Sequence, residues 1–288
     1  MVDPILKWAG GKRQLLTEIV DTLPPSWEAY HEPFIGGGAV FLHLCPNDST
    51  INDLNPYLSE FYRIVERHPD ALINENQSHA YEEAYYYDAR EEFNTLANQE
   101  ELSKAEMIRR ASLFLYLNRT GYNGLYRENQ AGEFNVPFGR HSDPDFIRAS
   151  QIRTAHRVLK NADIYNRDFS YIRDHAQAGD VVYFDPPYEP VSPTANFTEY
   201  QGEGFDKDDQ KRLRDIAVDL AERGVWVVLS NSPPVAELYR ETEDFTVKVV
   251  EATRRINSDS ENRDEVAEVL ISNIPPSKQR RKRLNDFV

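Results

Sequence analysis

An α/β fold on a mostly parallel, Rossmann-like sheet with helices on both faces is predicted by three stretches of the 288-residue sequence. Tyr30–Gly38 reads as a short strand running into three consecutive glycines, with the helical run Ala39–Leu44 behind it. Thr50-Ile51-Asn52-Asp53-Leu54-Asn55 reads as a second short strand ending in an acid. Val181-Val182-Tyr183-Phe184 is an uninterrupted apolar run stopped by Pro186 and Pro187. Such a run reads as a buried parallel strand, and the prolines end it. Strand, glycine loop, helix, strand and acid, in that order, form the first half of a doubly wound sheet.

The remaining elements follow along the chain. Leu6–Gly11 reads as a loop, and Lys12–Leu23 as an amphipathic helix closed by Pro24-Pro25. Residues 60 to 150 then break the strand–helix rhythm. Leu58–Arg67, Tyr81–Ala97 and Ser103–Leu117 carry apolar residues three and four apart, the spacing of one helix face. Asn118–His141, rich in Gly, Asn and Arg, is too long for a plain connector. The alternation returns with a helix at Asp143–Lys160, a strand at Ala162–Asn166 and the strand Val181–Phe184. A helix at Lys207–Arg223, a strand at Val225–Ser230 and closing strands at Phe245–Glu251 and Asp264–Ser272 complete the pattern. The predicted organisation is a split catalytic core at 1–58 and 151–275, a mainly helical insert at 59–150 and a basic disordered tail at 276–288.

Composition narrows the function classes. At 40% hydrophobic and 28% charged residues the chain is globular. No run approaches the roughly 18 apolar residues of a membrane span, and no basic-apolar leader opens the chain. A cytoplasmic location is expected, in a prokaryotic cell or a virus-infected host cell. The single cysteine, Cys45, excludes an intramolecular disulfide and a cysteine zinc cluster. His31, His43 and His68 lack ligand spacing, so no metal is expected. A net charge of −15 is unusual for a nucleic-acid binder. The acids concentrate in Glu82–Glu106, Asp206–Asp219 and Glu237–Glu251, however, while Leu117–His141 sets Arg119, Arg127 and Arg140 against only Glu128 and Glu133. Few lysines with many carboxylates fit either a salt-adapted host or an acidic solubilising surface.

Ligands of open α/β sheets sit beyond the carboxyl ends of the strands, where Asp185-Pro186-Pro187-Tyr188 would stand. That set suits work on a planar amino group drawn out of a base stack. The lone pair of such a nitrogen is delocalised into the ring. A carboxylate and a backbone carbonyl, each accepting one N–H, would hold the nitrogen pyramidal with its lone pair free. Asp185 would supply the carboxylate and Pro186 the carbonyl, while Pro186 and Pro187 fix the backbone and add no competing N–H. Tyr188 would stack on the extruded base. Alone, the tetrapeptide favours that chemistry over a strand exit whose prolines only break a helix.

Neighbouring motifs name a methyl donor. In the turn from Phe34, Gly36 and Gly38 remove side-chain bulk, and Asp53 is placed to bond a ribose diol. Together with the tetrapeptide they point to S-adenosylmethionine, which has a ribose and an adenine but no phosphate. Lys12 can pair with the cofactor's carboxylate and Trp8 can pack on it. Asp168, after the strand at 162–166, can reach the adenine, with Phe169 stacking beside it. The loop Asn118–Arg127 mixes the residue types that read and wedge DNA. Tyr122 and Leu125 suit intercalation or stacking; Asn123, Arg127 and Arg140 suit polar contacts.

The motifs Lys7–Lys12, Glu32–Gly38, Asp53-Leu54-Asn55, Leu115–Leu125, Gly132–Arg140 and Asp185–Tyr188 resemble those of the Dam-type DNA adenine methyltransferases. The resemblance runs from about residue 5 to 272 and is dense in Phe114–Arg140 and in Val181–Phe197, which includes Thr194-Ala195-Asn196-Phe197. It implies a class I methyltransferase sheet carrying an inserted DNA-recognition domain. It also implies methyl transfer from S-adenosylmethionine to the 6-amino group of adenine in duplex DNA, leaving S-adenosylhomocysteine, with GATC as the target. By position, Trp8, Lys12, Asp53 and Asp185 match the cofactor site. Asp185, Pro186 and Tyr188 match the catalytic loop, and Lys7, Tyr122, Asn123, Leu125, Arg127, Pro137 and Arg140 match the DNA-reading set. Thr120, Tyr126 and Ser232-Pro233-Pro234 depart from the pattern, and the acidic balance predicts weaker non-specific DNA binding. Double-stranded DNA is the expected partner of a monomer; a cognate restriction enzyme is not inferable. Two other readings keep part of the machinery: transfer to the amino group of cytosine, which the loop argues against, and a silent DNA-binding module, which the intact cofactor and catalytic sets argue against.

Overall fold

The structure is a computed structural model and describes residues 3–8, 10–188, 205–240, 242–253 and 265–280. Its strands are β1 (Tyr30–Glu32), β2 (Ser49–Asn52), β3 (Ala162–Tyr165), β4 (Val181–Phe184), β5 (Trp226–Asn231), β6 (Thr246–Thr253) and β7 (Glu265–Ser272). They form one sheet in the order β3-β2-β1-β4-β5-β7-β6. Strands β1 to β5 run parallel, and β7 lies antiparallel to both β5 and β6. The chain steps outward from β1 to β3 on one side and then crosses to β4 on the other. The crevice between the carboxyl ends of β1 and β4 is therefore the topological switch point of the sheet.

The solid apolar run of β4 is explained by burial on both faces. Val181 and Tyr183 join the core on one side, Val182 and Phe184 the core on the other. A strand covered twice needs no polar alternation. The helices are α1 (Leu16–Thr22), α2 (Ala39–Leu44), α3 (Pro56–Arg67), α4 (Pro69–Asn76), α5 (Glu83–Ala97), α6 (Lys104–Thr120), α7 (Ala149–Leu159), α8 (Ile172–His175) and α9 (Lys207–Glu222). Phe41 of α2, Phe61 of α3, Phe114 of α6 and Ile152 of α7 cover the first face; Ile172 of α8 with Leu213 and Leu220 of α9 cover the second. The segment between β2 and β3 carries α3 to α7. Its Tyr86, Phe93 and Leu113 belong to the same continuous core as Ile5, Tyr30 and Val181. The insert is thus fused to one face of the sheet.

Several boundaries differ from expectation for identifiable reasons. Lys12–Leu23 is a 3-10 turn at Lys12–Gln14 followed by α1, with Leu15 between them closing back on the Lys12 carbonyl. The helix expected from Asp143 starts at Ala149. Pro144 disfavours helix before it, and Arg148 stands at φ 53° with its N–H donated to the Asp145 carboxylate. The α4 helix was not predicted, because Leu72 and Ile73 are adjacent and set up no repeat; Pro69 sits in its first turn, where proline is tolerated. The tail begins ordered: Pro276–Lys278 is a 3-10 turn and Arg280 donates to Leu23 and lies over Trp27. Residues 281–288 fall outside the described residues. Among the described residues no helix is long and apolar enough to cross a membrane.

Candidate active site

Asp185 leaves β4 at the switch point and is fixed by groups from distant parts of the chain. Lys12 Nζ stands 2.8 Å from its Oδ1 and donates to the Gly10 carbonyl at 2.6 Å. Ser230 Oγ, near the end of β5, donates to the same oxygen at 3.0 Å and lies 2.8 Å from the Tyr183 hydroxyl. Both contacts fall on one carboxylate oxygen. Burial raises the pKa of Asp185, against the opposing pull of Lys12 and Ser230. The Pro187 carbonyl accepts from Gln210 Nε2 at 3.1 Å, and Asn231 holds that amide in turn. The Tyr188 hydroxyl donates to Glu268 Oε2 at 2.6 Å, while Lys12 Nζ lies 4.4 Å from the centre of its ring. A cation over the ring face is attracted by the ring quadrupole. Beneath the loop, Tyr30 donates to Glu32, whose carboxyl burial pushes well above its usual range.

The expected cofactor residues gather at the adjoining carboxyl ends of β1, β2 and β3. Asp53 accepts the Gly36 and Asn55 N–H groups at 3.0 Å each, and burial raises its pKa to about 6. Asn55 also caps α3, which fixes this turn. Such a buried carboxylate fits a nucleoside, whose vicinal hydroxyls would offset its lost hydration. Phe34 packs on Phe169 at 5.3 Å between ring centres and on Phe205 at 5.6 Å. Gly38 leads into α2.

Three of the expected cofactor groups meet partners within the protein. Gly36 adopts φ +47°, and a Cβ there would come within 2.9 Å of the Trp8 ring. The space this glycine frees is taken by Trp8, which also packs on Tyr126 and Phe114. Lys12, expected on a cofactor carboxylate, is engaged with Asp185. Asp168 caps Ser170 and pairs with Arg212 of α9 at 2.9 Å. Burial works against this carboxylate, but the Ser170 and Arg212 contacts outweigh it and lower its pKa.

The expected DNA-reading residues lie on an irregular hairpin, zipped by bridges at Gly121–Phe138 and Glu128–Phe134. Its inner side is buried: Thr120, Gly124, Tyr126, Phe134 and Val136. Its outer side exposes Tyr122, Asn123, Arg127, Pro137 and Arg140, with Leu125 half-buried. Asn94 of α5 clamps Phe134 through both its backbone groups, and Tyr86 donates to the Val136 carbonyl. Asn123 and Arg140 have φ values of 54° and 47°. Non-glycine residues are uncommon there, and such strain clusters at functional sites. Lys7 is joined to the hairpin by Asn118, which accepts the Lys7 N–H at 2.8 Å and donates to the Lys7 carbonyl at 2.7 Å. Gly124, at φ +65°, is needed because a Cβ would meet the Lys7 side chain at 2.5 Å. Burial, then the Arg119 charge, lowers the Lys7 pKa.

A family model for D12 class N6 adenine-specific DNA methyltransferases matches residues 8–256. The chain belongs to that family. It is 40% identical over 276 residues to the type II methyltransferase M1.LlaDCHI of Lactococcus lactis subsp. cremoris, covering 94% of this chain and 95% of the relative. M.MjaIII of Methanocaldococcus jannaschii is 38% identical over 291 residues, with 94% and 99% covered. The DNA adenine methylase of Escherichia coli K12 is 40% identical over 271 residues, with 92% and 93% covered. Among solved structures, a precorrin 8w decarboxylase from Methanobacterium thermoautotrophicum aligns over 94% of this chain and 95% of its own with TM-score 0.38 and 10% identity, too low to bear on the fold.

In this methyltransferase, sequence reasoning missed Ser230, Gln210, Asn231, Glu268 and the clamp residue Asn118. Ser230-Asn231 carries a faint signal, polar residues closing an apolar strand run; Glu268 carries none. The departures Thr120 and Tyr126 are buried on the inner side of the hairpin, away from its outer face. Ser232 is buried beside Asn231, and Pro233 opens a 3-10 turn to Tyr239. Thr194–Phe197 lies outside the described residues.

Proposed function

We propose that this adenine-specific methyltransferase acts on adenine flipped out of duplex DNA at GATC, using S-adenosylmethionine bound across β1, β2 and β3. One observation carries the reading: Lys12 and Ser230 pin Asp185 through a single oxygen at the switch point. The other oxygen then accepts one N–H of the target amino group, and the Pro186 carbonyl accepts the second. Tyr188 stacks on the base, and Pro187 is anchored behind it by Gln210. The bound cofactor supplies an electrophilic methyl group on a sulfonium. Asp53 binds its ribose hydroxyls, with Phe34 and Phe169 beside the adenine. Alignment of nitrogen and methyl, together with a preorganised carboxylate, supplies most of the acceleration. After transfer, Asp185, whose pKa burial has raised, is the nearest acceptor for the departing N–H proton.

Residues 1–58 and 151–275 form the catalytic domain and 59–150 the target-recognition domain, whose hairpin presents Tyr122, Asn123, Leu125, Arg127, Pro137 and Arg140, with Lys7 alongside. The GATC assignment rests on the likeness of Asn118–Arg127 and Gly132–Arg140 to Dam-type loops. A monomeric, cytoplasmic enzyme accords with this reading. Incubation with labelled cofactor and a GATC duplex, followed by digestion to nucleosides, is expected to yield 6-methyladenine. Methylcytosine, or no labelled nucleoside, overturns the proposal. Asp185→Ala is expected to keep DNA binding and lose roughly 10²–10³-fold or more in transfer rate; a normal rate removes Asp185 from the mechanism.

A further inference from the structure

The catalytic tetrapeptide ends on a tyrosine whose hydroxyl is held by a residue 80 positions further along the chain. We propose that Glu268 is a positioning residue for methyl transfer, fixing the Tyr188 ring in the orientation that stacks the extruded base. This rests on the reading of Tyr188 as the stacking residue.

The topology explains how Glu268 arrives there. Strand β7 enters antiparallel beside β5, with Val269 opposite Asn231, the last residue of β5. Glu268 therefore lies one residue beyond the carboxyl end of β5, level with the loop that leaves neighbouring β4. At 2.6 Å the contact is a short bond to an ionisable acceptor, the stronger kind of hydrogen bond.

A tyrosine ring swings about two torsions, and a stacked base does not by itself fix where the ring edge points. In this site both freedoms are removed. Glu268 ties down the hydroxyl, and Lys12 covers one ring face, so the base would stack on the other. The hydroxyl remains a donor throughout the working pH range, because burial, then the charges of Asp185 and Glu268, raises its pKa well above the usual value. Lys12 also holds Asp185, so the ring and the catalytic carboxylate share one cation as a common reference.

The test uses the full-length enzyme, S-adenosylhomocysteine and a duplex with 2-aminopurine at the target adenine, whose emission reports extrusion and stacking; unmodified duplex gives kcat and KM. Glu268→Ala is expected to lower kcat about tenfold and to change the emission of the bound probe, with little change in KM. Glu268→Gln, whose amide oxygen accepts the phenol O–H, is expected to restore most of both. Tyr188→Phe removes the same bond from the other side, and in that background Glu268→Ala is expected to add nothing. Wild-type kinetics in Glu268→Ala, or losses that multiply in the double variant, overturn the proposal. Tyr188→Ala separates the two readings. If it transfers and stacks normally, the role of Tyr188 fails and that of Glu268 with it. If it is defective while Glu268→Ala is normal, only the positioning role fails.

Discussion

At the end of β4, Asp185 to Tyr188 are held by Lys12, Ser230, Gln210 and Glu268, which come from the N-terminal segment, β5, α9 and β7. The hairpin at 120–140 is anchored to the rest of the protein from its inner side, where Asn94 and Tyr86 grip its backbone from below. On its outer side Arg127 bonds to Asn135 of the hairpin itself at 2.7 Å, and Arg140 makes an exposed pairing with Glu83 at 3.1 Å. Exposed pairs of this kind contribute little and exchange readily. Under the proposed roles, the difference follows from what each region has to do. Chemistry requires atoms placed in advance, whereas reading a groove requires side chains that can trade a protein partner for a base.

The comparison is broken most severely by Phe134→Ala. Emptying the buried inner side of the hairpin is expected to cost about 3–5 kcal/mol of stability, read as a lower midpoint in chemical denaturation. An unchanged midpoint would show that the hairpin does not depend on its buried side. Arg140→Ala, on the outer side, is expected to leave that midpoint in place. It should reduce discrimination between the target and a one-base variant by about 1–3 kcal/mol, measured as a ratio of kcat/KM values. Uniform weakening on all duplexes would assign Arg140 to phosphate contact instead.

The smallest expected effect is on pH dependence. Asp53 has its pKa raised from 3.8 to about 6 by burial, so acidification protonates the group proposed to accept the ribose hydroxyls. S-adenosylhomocysteine affinity is expected to hold above pH 6 and to fall below it by up to about tenfold per pH unit. Asp53→Asn should flatten that profile; an equally sloped profile in the variant would place the titrating group elsewhere. The effect on folding has the opposite sign. A raised pKa means that the folded chain holds the proton more tightly, so this group's stabilising contribution is full below pH 3.8 and is lost as pH rises through about 6. Acid is thus expected to weaken ligand binding at Asp53 without weakening the fold through it.

Much of this architecture was legible because it is local. The β4 strand was read to the residue, since an apolar run closed by two prolines has few other conformations. The hairpin's outer face was legible as a cluster of rings, amides and arginines between two glycine-rich turns. Its buried face was harder to separate, because Tyr126 and Phe134 are the same residue types as its reading side chains. Glu268, Ser230 and Gln210 were out of reach: each acts on the tetrapeptide from a different element, and only the strand order brings them together. The contact between Lys12 and Asp185 was out of reach for the same reason. The helix-start position of Lys12 was visible, but the proximity of Asp185, far along the chain, was not.

The segment from Lys7 to Lys12 is clamped at both ends, by Asn118 to the hairpin and by the Lys12 ammonium to Asp185. Five residue steps separate the two anchors, so the hairpin and Asp185 are both attached to one short segment. Under the proposed roles, the segment that meets the reading hairpin is also the one that steadies the reacting carboxylate. A misread site is then expected to be penalised in turnover as well as in affinity.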